Sequence, residues 1–327
     1  MKFKTLGNRN APAVLFFHAM GVTGESSEPV ANYLQDRYFC ILPTSTVYCK
    51  GQKYVSKADE VRQVEAYLKS QGVERLELVV ASSIGADLAM AFLTGTKLPI
   101  GHVFFDGGQF AQIAKGTRRI MTPFLYFAIK SLYWSKGGTL KKILWCDDDS
   151  IKPYFIAAGE NLTYTNLRRH ILDSLEDKPF PALPEELQKH IYFEFGSIED
   201  HFKYRQTVME AYPRGHYPVF EGYDHMQYQI RDPKGFAEML AYADAVLVRK
   251  RFQCADVLVV TGVHTAALVA GAHFLQGVND YQPGIRIVMN KVHNLFLQSL
   301  SDTLAFGLQN QLFWRILAAH KPEQTVL

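Results

Sequence analysis

Between residues 76 and 90 the chain reads Leu76-Glu77-Leu78-Val79-Val80-Ala81-Ser82-Ser83-Ile84-Gly85-Ala86-Asp87-Leu88-Ala89-Met90. A short apolar run stops at a serine, and a segment rich in small residues starts directly after it. This predicts a strand, a sharp turn and a helix, with Ser83 at the apex of the turn. Ala81 and Gly85 flank it in a small-x-Ser-x-small pattern, a variant of Gly-x-Ser-x-Gly. Small residues are needed on both sides because such a turn brings the strand and helix backbones together. The hydroxyl is then held clear of the sheet, with the backbone N–H of Ile84 beside it. A plainer reading is a buried serine pair bonded to backbone where a parallel strand ends, so the rest of the chain has to decide.

The chain has 327 residues, enough for one large domain with an addition or for two domains. An apolar share of 48%, with 13% aromatic, supplies a large core. A net charge of +3, without a long basic run, argues against nucleic acid as a partner. Cys40, Cys49, Cys146 and Cys254 form neither a Cys-x-x-Cys pair nor a dense framework, which suits a reducing compartment. The first ten residues lack the apolar core of a signal peptide, so a cytoplasmic enzyme is the expectation.

Residues 2–6 alternate as a short edge strand, and 13–17 form a continuous apolar run, as in a strand buried on both faces. A helix is expected over 28–38, with Pro29 in its first turn, followed by a strand at 39–42. Ser56-Lys57-Ala58-Asp59 resembles a helix cap, and Val61, Val64, Tyr67 and Leu68 then recur at helical spacing up to Gly72. Strand 76–81, helix 84–94 and strand 102–105 follow. Residues 107–188 carry no convincing strand but several helix-like, aromatic-rich segments, which reads as a helical lid inserted at one edge of the site. Alternation resumes with a strand at 191–195, a helix near 201–212, a strand near 217–220 and a helix from Pro233, capped by Asp232. The pattern predicts an α/β fold: a mostly parallel central sheet with helices on both faces.

Ligands of open α/β sheets sit at the carboxyl ends of the strands. Collected there are His18-Ala19-Met20-Gly21, Ser83, Asp106, Gly196-Ser197-Ile198-Glu199-Asp200 and Gly222-Tyr223-Asp224-His225. Over roughly residues 1–245 the chain resembles the α/β-hydrolase superfamily. The likeness rests on the turn at Ser83, the His-small-x-Gly loop, the late Gly-x-x-acid segment and the terminal Gly-x-x-His, in the order nucleophile, acid, histidine. Ala81 and Ala19 depart from the usual glycines but keep a small side chain. The resemblance implies Ser83 as nucleophile, His225 as its base and Glu199 as the acid, with Asp200 and Asp106 as alternative acids. The backbone N–H groups of Met20 and Ile84 are the expected oxyanion donors. His18 would organise the oxyanion loop.

No metal or cofactor is called for. Asp147-Asp148-Asp149 reads as a solvated loop, and the arginines of Arg118-Arg119 and Arg168-Arg169 as the wet faces of helices. The implied function is a serine hydrolase that cleaves a small to medium carboxylic ester through an acyl-enzyme. The alternatives are a non-hydrolytic small-ligand binding protein of the same fold, or an acyltransferase using the same residues. The partner is then a small acyl substrate, with oligomeric state left open.

Residues 246–327 form a C-terminal extension without a family likeness, expected to be mostly helical. Residues 257–278 contain no Asp, Glu, Lys or Arg and follow Arg249-Lys250-Arg251, a pattern long enough for a membrane span. His264, His273, Gln276, two threonines and three glycines weigh against one. Packing of the extension ranks above membrane contact.

Overall fold

The computed structural model describes residues 1–241, apart from 109, 111, 141–147 and 177–178. Its centre is a seven-stranded sheet in the order β1-β3-β2-β4-β5-β6-β7. The strands are β1 (Lys2–Leu6), β2 (Ala13–Phe17), β3 (Phe39–Thr44), β4 (Leu76–Ser82), β5 (Ile100–Asp106), β6 (Ile191–Gly196) and β7 (Val219–Phe220). Only β1, at the edge, runs antiparallel; it pairs with β3, and every other pairing is parallel.

β2 and β3 are buried throughout and β4 nearly so, because helices cover both faces of the sheet. Alternation divides their side chains. Leu15, Phe17, Ile41, Val79, Ala81, Val103 and Phe105 share one core with Val64 and Leu68 of α2 (Lys57–Ser70) and Ala89 and Phe92 of α3 (Gly85–Gly95). Val14, Phe16, Cys40, Leu42, Leu78, Val80 and Phe104 meet Val30, Ala31 and Leu34 of α1 (Glu28–Leu34), and Phe236, Ala237 and Leu240 of the helical stretch 233–241.

The described residues of the insertion between β5 and β6 are mainly helical, with α4 (Lys115–Trp134), α5 (Lys152–Asn161), α6 (Tyr164–Asp173) and the short α7 (Glu185–Gln188). One isolated bridge joins Ile113 and Glu176. Ile129, Ala158, Leu167 and Ile171 tie α4, α5 and α6 into one apolar cluster. Gly159 lets α5 press on α4: a Cβ there would lie 2.7 Å from the Cβ of Tyr133. Arg118 departs from the expectation of a wet face. It is buried, and its Nη1 donates to the carbonyls of Leu172 (2.7 Å) and Ser174 (3.0 Å), closing the end of α6. Asp148 accepts from the Ser150 N–H and Asp149 pairs with Lys152, so both act as local helix-start groups.

Several bounds differ from the sequence reading. α1 stops at Leu34, and a turn in which the Tyr38 N–H bonds the Leu34 carbonyl completes the segment. β3 continues to Thr44 although it contains Pro43. The β2 ladder ends at Ile41, so the proline falls where no strand lies on that side. The helix expected near 201–212 divides into a 3₁₀ turn, Asp200–Tyr204, and α8 (Arg205–Ala211). A short α9 (Gln227–Arg231), not anticipated, fills the space before the Asp232 cap, where the Gly235 N–H bonds Asp232 Oδ1 at 2.8 Å. The C-terminal extension, including 257–278, lies outside the described residues. Among the described residues no helix is long and apolar enough to cross a membrane.

The tightest backbone approach is where α3 leaves the sheet. A Cβ on Gly85 would lie 2.4 Å from the Phe17 carbonyl oxygen and 2.8 Å from that of His18. Backbone cannot yield as a flexible side chain would, so Gly85→Ala must push α3 away from β2. We expect it to lower stability by about 2 kcal/mol or more in urea denaturation of the full chain. An unchanged midpoint would show that the helix can shift freely.

Candidate active site

Ser83 stands between β4 and α3 with φ at +52°, in the left-handed region that a non-glycine residue seldom occupies. Two hydrogen bonds hold it there: its N–H donates to the Asp106 carbonyl on β5 (3.0 Å), and its own carbonyl accepts from the Ala86 N–H (3.0 Å). Ala81 is fully buried between Phe17 and Phe105 in the sheet register, so a methyl group fits where a glycine is usual. The preceding Ser82 points elsewhere. It is buried and receives a hydrogen bond from Gln229 Nε2 at 2.9 Å.

His225 arrives from the loop after β7. Its Nε2 lies 2.9 Å from Ser83 Oγ, and its Nδ1 lies 2.9 Å from Glu199 Oε2. Two loops bring these groups together, and they are laced to each other. The Ser197 N–H donates to the Phe220 carbonyl, the Gly222 N–H to Ser197 Oγ, and the Ile198 N–H to the Tyr223 carbonyl. Asp224 accepts the His225 N–H at 2.7 Å. Gly107, at φ +56°, leaves room for the pair over the end of β5. A Cβ there would lie 2.6 Å from His225 Nδ1 and 3.2 Å from Glu199 Oε2.

Of the other two acids, Asp106 is buried and bonded by Gln229 Nε2 at 2.6 Å, and Asp200 opens the exposed 3₁₀ turn beside Glu199. Neither makes the His225 contact that Glu199 makes. Burial pulls the His225 imidazole down to about pKa 4, with Asp224 opposing, so the ring is neutral at rest and able to accept a proton. Burial, reinforced by Asp224, pushes Glu199 upward.

The loop after β2 carries Met20. His18 fixes it from beneath: His18 Nε2 accepts the Ser45 N–H at 3.0 Å, which places the ring proton on Nδ1, 2.8 Å from the Ala19 carbonyl. The Gly21 N–H donates to Tyr48 Oη at 2.8 Å. Next to Ser83, Ile84 is the N-cap of α3, and the first N–H groups of a helix have no intrahelical partner. Ser83 and His225 open onto a cavity of about 530 Å³ whose apolar wall includes Met20, Met121, Leu125, Ile129, Leu132 and Phe155. The helical insertion therefore supplies most of the apolar lining.

Sequence reading alone missed Gly107, Tyr48, Gln229 and His201. The last sits in the turn after Glu199, with Nδ1 3.2 Å from His225 Nδ1. Its spacing in the chain carries no signal, because the contact is made only when the two loops meet.

No family model matches the chain, and no curated protein matches it in sequence. Solved structures do. An alpha/beta hydrolase family protein from Desulfitobacterium hafniense superposes with a TM-score of 0.56 at 15% identity, covering 74% of this chain and 99% of that one. A carboxylesterase from Nitrososphaera gargenis gives 0.57 at 13% identity, covering 76% and 95%. One from Bacillus subtilis gives 0.52 at 15% identity, covering 73% and 85%. The chain has the α/β-hydrolase fold.

Asp106 also carries a testable pH dependence of stability. Burial first, then the charge of Glu199, raise it from 3.8 to about 7, against the opposing Gln229 bond. A carboxyl group raised on folding contributes stability below its unfolded value and loses it as pH rises through its folded value. Asp106→Asn removes that loss while keeping an acceptor for Gln229. Its melting temperature relative to the parent should climb between pH 4 and about 7, then level off. A difference independent of pH would mean Asp106 does not titrate in this window.

Proposed function

We propose that the protein is a serine hydrolase cleaving small to medium carboxylic esters through an acyl-enzyme. The observation that carries this reading is the continuous hydrogen-bonded line Ser83–His225–Glu199, with two 2.9 Å links, at the floor of an apolar cavity. As Ser83 Oγ attacks the ester carbonyl, His225 Nε2 takes its proton, and Glu199 holds the Nδ1–H and stabilises the imidazolium. The N–H groups of Ile84 and Met20 receive the charge that builds on the carbonyl oxygen. His225 then passes its proton to the leaving alcohol. In the second half it takes a proton from water, whose attack on the acyl carbonyl releases the acid and restores Ser83. The solved carboxylesterases of the same fold support the ester as substrate, and the apolar lid wall favours an apolar acyl group over a charged one.

A fluorophosphonate probe should label the full chain, and Ser83→Ala should abolish labelling and lower p-nitrophenyl ester hydrolysis by at least about 10⁴-fold. Glu199→Gln should cost on the order of 10⁴-fold, because the ring loses the partner that orients it. Ligand binding without labelling or turnover would assign the cavity to binding alone. Labelling lost in Ser82→Ala but kept in Ser83→Ala would move the nucleophile by one residue.

The pH dependence has a definite sign. The base must be neutral, and burial places His225 below its ordinary 6.5, toward about 4. Labelling should persist through pH 6 and fall on further acidification, with a midpoint below 6.5. A midpoint at or above 6.5 would contradict the buried, neutral imidazole.

A further inference from the structure

We propose that Glu199, His201 and His225 together form a binding site for a divalent ion of the zinc type, and that the bound ion switches the Ser83 site off. The three side chains each offer one ligand atom, and all three atoms lie within 4.8 Å of one another. His201 Nδ1 is 3.2 Å from His225 Nδ1, and His225 Nδ1 is 2.9 Å from Glu199 Oε2. A tetrahedral zinc ion with bonds of about 2.0–2.2 Å holds its ligand atoms roughly 3.3 Å apart. Two of the three edges therefore already match to within a few tenths of an ångström.

One proton must serve two contacts at His225 Nδ1. His225 Nδ1 carries a single proton and faces two acceptors, Glu199 Oε2 and His201 Nδ1. The other carboxylate oxygen of Glu199 is buried with no hydrogen-bond partner, on a side chain that is fully enclosed. Two imidazoles and a carboxylate are the ligand set that suits zinc and copper, and too few oxygens for calcium or magnesium. Access is open, since His201 is half-buried and reaches the catalytic cavity, from which the ion and a fourth, water ligand can enter.

The inhibitory consequence rests on the hydrolase reading; the metal site itself does not. Coordination uses the lone pair of His225 Nδ1, so the one proton of the neutral ring moves through solvent to Nε2. Nε2 then donates to Ser83 Oγ at the contact where it must otherwise accept. The ion sheds hydration water and no covalent bond in the protein changes. Ser83 loses its base, and removal of the ion restores it.

The test uses the full-length chain stripped with a chelator, with Co²⁺ as spectroscopic probe and Zn²⁺ as inhibitor. Co²⁺ should give the intense visible bands of a tetrahedral site, also in Ser83→Ala. Zn²⁺ should suppress fluorophosphonate labelling, with recovery on adding EDTA. His201→Gln should weaken Co²⁺ binding by about tenfold or more. It should also lose Zn²⁺ suppression relative to its own metal-free rate. His201→Cys, which keeps a ligand, should still bind Co²⁺ and add a near-ultraviolet thiolate band, separating lost coordination from a damaged fold. Absence of the visible bands in the parent chain, or equal Zn²⁺ sensitivity in His201→Gln, would overturn the site. Bands in a protein that never labels, with or without metal, would uphold the site and overturn the switch.

Discussion

The left-handed backbone of Ser83 is the constraint from which the site is built. A conformation of this kind costs on the order of 1–3 kcal/mol and survives only where its surroundings over-determine it. Here β4 is buried between β2 and β5, the Ser83 N–H is tied to Asp106, and Gly85 lets α3 start against the carbonyls of Phe17 and His18. The close approach at Gly85 lies two residues after the left-handed Ser83, so the turn and the helix start are fixed together. One turn thus fixes both the Ser83 hydroxyl and the start of α3.

The remaining side chains of the site depend on two loops meeting over Gly107. Each loop begins where a parallel strand ends, and backbone bonds between 196–199 and 220–225 join them into one structure. Burial of this unit has an electrostatic cost. Asp106 at the end of β5 pairs with Glu194 within β6, Glu199 lies close to Asp106, and burial pushes all three carboxyl groups upward. Gln229, delivered by α9, bonds both Asp106 and Ser82, and so ties the sheet beneath Ser83 to the segment that follows His225.

Much of this was legible in the chain. Continuous apolar runs of strand length at 13–17 and 76–81 require a sheet covered on both faces, and small residues around Ser83 mark a turn whose crowding excludes larger ones. The resemblance to the α/β-hydrolase superfamily is what pointed to Ser83, Glu199 and His225. Less was legible where tertiary contacts override local pattern. Arg118 carries a surface-type side chain and is buried because two carbonyls at the end of α6 accept from it. The segment before Asp232 becomes α9, since Gln229 has buried partners far away in sequence.

By itself the sequence determined the α/β architecture and the turn at Ser83, which follow from periodicity and side-chain size over neighbouring residues, while its likeness to α/β-hydrolases narrowed the acids to a short list. Only the tertiary structure decided among Glu199, Asp200 and Asp106 as the partner of His225, and only it brought His201 to the same imidazole. A carboxylate becomes that partner by reaching Nδ1 at hydrogen-bond distance, and such a distance is set by how two loops pack across more than twenty residues of chain.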